Sequence, residues 1–186
     1  LLLDDPADER NYFRWRWEGV YQFYTQFDGP PGASVCWRYE YDYAYVKVAS
    51  DEFVNGNVFE QEIYSVEFFD VGKYLLTIWQ YGLSRSAFQF WSLVEEQLNQ
   101  TGGIFDPPPA KIQGNLYLVN RPEQRVLGYF GASPVQKIPV LMDRRDTPYR
   151  SGLYLRSYPR NTFCYTLSNS EELIYDPSTW PEGWEE

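Results

Sequence analysis

Residues 74–131, YLLTIWQYGLSRSAFQFWSLVEEQLNQTGGIFDPPPAKIQGNLYLVNRPEQRVLGYFG, decide how this chain folds. The run Tyr74 to Tyr81 is apolar on nearly both faces, the pattern of a central strand covered on two sides. Behind it, Ser84 or Ser86 can cap a helix, the latter with Gln89 in capping-box spacing. Ala87, Trp91, Val94 and Leu98 then recur at helical intervals on one face, with Glu95, Glu96, Asn99 and Gln100 towards the other. Gly102-Gly103 supplies a left-handed stop, and Pro107-Pro108-Pro109 imposes an extended segment that cannot rejoin the helix. The spacing predicts a helix over about Ser86 to Gln100. Strands follow over Gly114 to Val119 and Val126 to Ala132, joined by a turn at Asn120 to Glu123, and another over Lys137 to Met142.

Outside that stretch the chain reads as strands. From Tyr12 to Tyr24, Phe13, Trp15 and Trp17 alternate with Arg14, Arg16 and Glu18, and period two means a sheet with one wet face. After a break at Asp28 to Gly32, Val35 to Val48 repeats the alternation, and the two segments can pair as neighbours. Asn55-Gly56 marks a turn between Phe53-Val54 and Val58-Phe59, and Ile63 to Phe69 alternates weakly. Beyond Asp143 the order weakens, and the tail is expected to wrap back, anchored by Trp180 and Trp184. The predicted fold is mainly β, an antiparallel β-sandwich-like domain with one amphipathic helix packed against it. With 186 residues, a single β-rich domain over 1–186 suffices.

Composition narrows the function. Aromatic residues make up 19% of the chain, and rings favour pleated, half-buried strands. A net charge of −10, with no basic cluster, repels phosphate backbones and argues against nucleic acid. No apolar run is long enough to span a bilayer as a helix. The opening Leu1-Leu2-Leu3 has no Met and no targeting segment, which suggests a piece of a longer polypeptide. Histidine is absent, which removes the Ser-His-Asp and Cys-His constellations and the HExxH zinc signature, and no glycine-rich phosphate loop occurs.

Carboxylate chemistry is what remains, and Glu40 with Asp42 is one acidic pair of many; it reads as the solvated face of a strand. Asp51-Glu52 before Asn55 and Asn57 lacks calcium-loop spacing and reads as a charged turn. Cys36 and Cys164 lack zinc-ligand spacing and are either one long-range disulfide or two buried thiols. The rings offer the better functional lead, since exposed Trp and Tyr stack on sugars or form protein interfaces, although most are expected to fill the core. The candidate contact residues are Trp79, Tyr81, Phe105, Pro107, Pro108, Trp180 and Trp184. No catalytic residue, metal ligand or cofactor is expected.

Several phrases resemble a known family. Asp4-Asp5-Pro6 with Asn11-Tyr12-Phe13-Arg14-Trp15, then Ser84 to Trp91 followed by GGIFDPPPAKIQGN, then VLGYFGAS, look like a domain-of-unknown-function family of Bacteroidota outer-membrane lipoproteins, often encoded beside TonB-dependent receptors. The resemblance implies that this chain is the C-terminal part of a longer lipoprotein, whose lipid anchor and N-terminal immunoglobulin-like domain lie outside this sequence. It further implies residence in the cell envelope at the outer membrane, and a non-enzymatic accessory or binding role beside an outer-membrane β-barrel partner. The alternative is a glycan-binding or carboxylate-based glycan-cleaving module that takes a small ligand or glycan. The family's closing region often carries Cys-x-x-Cys, whereas here only Cys164 and the Pro177 to Trp180 ending remain, which favours a bridge from Cys164 to Cys36.

Overall fold

The aromatic alternation that follows Asn11 folds into the longest strand of the molecule's main sheet. The computed structural model describes residues 2–3, 10–25, 34–43, 45–52, 59–66, 72–100, 112–143, 173–174 and 184. In chain order the described elements are β1 (Leu2–Leu3), β2 (Tyr12–Thr25), β3 (Ser34–Tyr41), β4 (Lys47–Ser50), β5 (Phe59–Glu60) and β6 (Lys73–Gly82). They continue with α1 (Arg85–Asn99), β7 (Leu116–Leu118), β8 (Arg121–Val126), β9 (Val135–Asp143) and β10 (Leu173–Ile174). One sheet has the order β10-β3-β2-β6-β9, with β4 also on β2, while β1 with β5 and β7 with β8 form two-stranded sheets. The fold is mainly antiparallel β with one helix among the described residues, the class that the sequence predicts.

Two compact units divide the chain, the first from residues 1–16, 42–63 and 79–137, the second from 17–41, 64–78 and 138–186. In the second, β2 and β3 pair antiparallel from Glu18↔Tyr41 to Thr25↔Ser34. Its core gathers Val20, Trp37, Leu75 and Trp184, with Tyr39 and Leu141 packed alongside. The Trp37 and Trp184 rings meet edge-on at 4.3 Å. Trp17 stacks on Tyr64 at 3.7 Å, an aromatic contact worth about 1 kcal/mol beyond its buried area. Cys36, fully buried on β3, is disulfide-bonded. Cys164 lies outside the described residues.

In the first unit, β4 lies on the start of β2, from Tyr12↔Ser50 to Trp15↔Lys47. The Asp51 carboxylate, buried beside this pair, accepts the Asn11 backbone N–H at 2.7 Å. Glu95 fastens helix α1 to β4: it pairs with Lys47 Nζ at 3.3 Å and accepts the Val48 N–H at 3.3 Å. Ser84 caps the helix, its Oγ accepting from Ala87 N. Ala87 and Phe90 are the buried helix residues, and covering the Phe90 ring contributes about 2 kcal/mol.

The structure changes several of these expectations. The helix spans Arg85–Asn99, within one residue of the expected bounds at each end, but its buried side is led by Ala87 and Phe90, while Leu98 is exposed. The predicted strand from Val35 to Val48 is two strands, because Asp42 turns inward to hold Arg16 and its carbonyl accepts the Tyr45 N–H. The β7–β8 turn falls at Val119-Asn120, with Arg121-Pro122-Glu123 inside β8, and residues 127–134 are irregular. Glu40 and Asp42 do not form a wet face: Asp42 is buried against Arg16, and Glu40 accepts the Tyr74 hydroxyl at 2.9 Å. The Asn55-Gly56 turn, the Gly102-Gly103 stop and the triple proline lie outside the described residues, and residues 63–66 form no strand.

Candidate functional site

Strand alternation places Arg14 and Arg16 on the same side of β2, and the two guanidinium groups meet opposite surroundings. Arg16 forks onto the buried Asp42 carboxylate, with Nη2 to Oδ1 at 3.0 Å and Nε to Oδ2 at 3.2 Å. Arg14 instead lies over the Trp91 indole, its guanidinium carbon 3.5 Å from the ring centroid. Arg14 Nε is shut away from solvent and has no hydrogen-bond partner. Burial, and then repulsion from Arg16, lower its pKa from the ordinary arginine value.

The helix reaches Arg14 because its first turns are held on β2. Leu83 N–H donates to the Tyr12 carbonyl at 2.7 Å, and the Tyr12 and Phe88 rings stack at 4.9 Å. One turn beyond, Trp91 comes over Arg14. A cavity of about 310 Å³ opens there, lined among others by Arg14, Tyr81, Ser84, Trp91, Tyr129 and Ser133. None of its lining residues is acidic. Tyr129 closes one side, its hydroxyl 2.8 Å from Ser86 Oγ, and hydrogen bonding to Ser86 and then Ser84 lowers its pKa.

Tyr129 is positioned by a clasp between two loops. Asn115 Nδ2 donates to the Phe130 carbonyl at 2.6 Å, and the Phe130 N–H donates back to Asn115 Oδ1 at 2.7 Å. Beside it, Gly114 packs so tightly on the Gly128 carbonyl that a Cβ at 114 has no room, and Gly128 itself has φ of +128°. A larger cavity of about 820 Å³ also borders α1, lined chiefly by Phe90, Val94, Ile112, Val126 and Leu127, with Glu123 its one acid. The β7–β8 hairpin, bulged between Tyr117 and Leu118, and the loop that follows it leave apolar side chains in solvent: Tyr117 is 63% exposed, Leu127 81% and Phe130 76%.

Among the residues singled out from sequence, Tyr81 lines the Arg14 cavity, and Trp79 is half-buried with Lys137 Nζ 5.5 Å from its ring centroid. Trp184 is a core residue of the second unit, its indole covered by Trp37 instead of offered to a ligand. Phe105, Pro107, Pro108 and Trp180 lie outside the described residues. Arg14, Trp91, Tyr129 and the exposed hairpin were not singled out. Their signal was present, because Arg14 sits in NYFRW and Tyr129 in VLGYFGAS, two of the phrases that carry the family likeness.

Among the described residues, no cluster of three or more His, Cys, Asp or Glu side chains is arranged to hold a metal ion, and no helix is long and apolar enough to cross a membrane. Residues 1–138 match the model of the family described as Domain of unknown function (DUF4249). No curated protein and no solved structure matches the chain.

Proposed function

The chain belongs to the DUF4249 family, and from that membership we propose that it is a non-enzymatic binding subunit of the cell envelope, docking on an outer-membrane β-barrel partner in uptake or assembly. The observation that carries this reading is the β7–β8 hairpin with its flanking loop, where Tyr117, Val119, Leu127 and Phe130 stand in solvent within one short stretch. Apolar and aromatic side chains concentrated this way on a folded surface mark interaction sites. The disulfide at Cys36 supports an oxidising compartment such as the periplasm or cell surface. The lipid anchor and the receptor-type barrel partner rest on the resemblance of NYFRW, FDPPP to GN and GYFGAS to Bacteroidota outer-membrane lipoproteins.

Co-purification from detergent-solubilised outer membranes tests the proposal. The full-length protein is expected to bring down a β-barrel, and Tyr117→Ser combined with Leu127→Ser and Phe130→Ser is expected to release it without lowering the melting temperature. Recovery of the parent protein only as a free monomer overturns the reading. Glycan binding, the second reading, is favoured by Tyr81 and Trp91 sharing a cavity with hydroxyl groups, whereas glycan cleavage finds no carboxylate pair there.

A further inference from the structure

We propose that the Arg14 cavity is a binding site for a small ligand bearing a carboxylate, an inference that goes beyond barrel docking and does not depend on it. The two guanidinium groups on β2 supply the contrast. Arg16 has its acid, Asp42, in a two-point pair. Arg14, in a chain with 26 Asp and Glu against 16 Lys and Arg, has no acid lining its cavity and no partner for its enclosed Nε. Enclosing a guanidinium N–H without an acceptor is costly, so a half-buried cation that keeps one is poised for an anion brought from outside.

Geometry specifies what the anion looks like. With its face laid on the Trp91 indole, the guanidinium has its remaining donors in the plane of the fork, the arrangement that accepts two oxygens of a planar carboxylate side by side. Burial and the neighbouring Arg16 both disfavour the Arg14 charge, Tyr81 and Asp42 offset this only in part, and an arriving anion adds to that offset. A volume of about 310 Å³ is on the scale of a small ligand such as a single ring or a short acid. Tyr81 and Tyr129 offer rings, and Ser84 and Ser133 offer hydroxyl groups, to the polar body that carries the carboxylate. Sugar acids and short hydroxy acids share this chemistry.

The test titrates the full chain with glucuronate, lactate and glucose, following tryptophan fluorescence and the Arg14 Nε–H resonance. Glucuronate or lactate is expected to saturate both signals below about 50 mM, with glucose silent at the same concentration. Saturation by glucuronate alone assigns a sugar acid, and saturation by lactate alone a short acid. Arg14→Gln should weaken binding at least tenfold, and Arg14→Lys should retain part of it. Glucose binding as tightly as glucuronate, silence from both acids, or unchanged affinity in a folded Arg14→Gln protein overturns the proposal. Should Arg14→Gln fail to fold, the acid-against-glucose comparison on the parent protein decides alone.

Discussion

Gly19 on β2 lies directly beneath the Tyr74 phenol, so close that a side-chain carbon at 19 would overlap the hydroxyl. That hydroxyl donates to Glu40 at 2.9 Å, and the ring stacks on Tyr21 at 5.8 Å. Gly19→Ala is therefore expected to push the ring out of a filled core and break the bond to Glu40, lowering stability by about 2–4 kcal/mol. Tyr74→Phe, which loses only the bond, should cost less, about 1–2 kcal/mol. Urea denaturation measures both, and a Gly19→Ala protein as stable as its parent contradicts the packing described.

Trp15 has no exposed surface, and its indole N–H finds its acceptor in Gln80 Oε1 at 3.0 Å. Gln80→Leu keeps the volume and removes the acceptor, which strands a donor in the core at a cost of about 1–3 kcal/mol. The indole N–H should exchange with deuterium faster in this variant than in the parent. Equal exchange and equal stability would show that water replaces the amide.

Tyr45 donates its hydroxyl to the Ile63 carbonyl, and burial, then the Glu95, Glu62 and Asp42 charges, push its pKa up from 10.0 to about 12. The folded state thus holds this proton more tightly than the unfolded chain does. The stability it contributes is complete below pH 10 and is lost as pH rises towards about 12. Tyr74, raised by burial and then by Glu40, acts in the same direction. Unfolding midpoints measured from pH 9 to 12 should fall less steeply for Tyr45→Phe than for the parent; identical slopes rule Tyr45 out.

The sequence holds two cysteines, and the buried Cys36 is disulfide-bonded. Peptide mapping without reductant should return one linked pair containing Cys36 and Cys164, and reduction should lower stability by about 2–5 kcal/mol. A monomer whose Cys164 accepts a thiol reagent before reduction would rule out that pairing.

Asn115 holds Phe130 through both ends of its amide, at 2.6 and 2.7 Å. Asn115→Asp replaces a donor by an acceptor facing a carbonyl, and should be worse than Asn115→Ala. Because the clasp is exposed, the stability change should stay near 1 kcal/mol. The Tyr129 resonances should shift further than those of any core residue. A silent Tyr129 would separate the clasp from the cavity.

How far the sequence could be read follows from which contacts are local. β6 was legible because Tyr74 to Ile78 is buried throughout, and a strand enclosed on both faces is nearly continuous in apolar residues, here interrupted only by Thr77. The helix start was legible from its capping serines, but not which side would be covered: Trp91 turns towards Arg14, a residue remote in sequence. The break after Tyr41 was hidden because the alternating tyrosines run on through Tyr45, and the Arg16–Asp42 pair that turns the chain is a tertiary contact. Arg14 itself read as the wet face of a strand. Only the fold, by bringing Trp91 over it, distinguishes it from Arg16.

Gly114 against Gly128 and Asn115 against Phe130 interlock two stretches that sequence alone presents as separate phrases. Their tolerance to substitution is therefore a shared property. A scan that changes one position at a time will score each as intolerant, although the true constraint is joint. A homologue with a side chain at 114 must carry a rerouted backbone at 128, and grafting either loop without the other onto a related scaffold will fail for reasons invisible in the grafted segment.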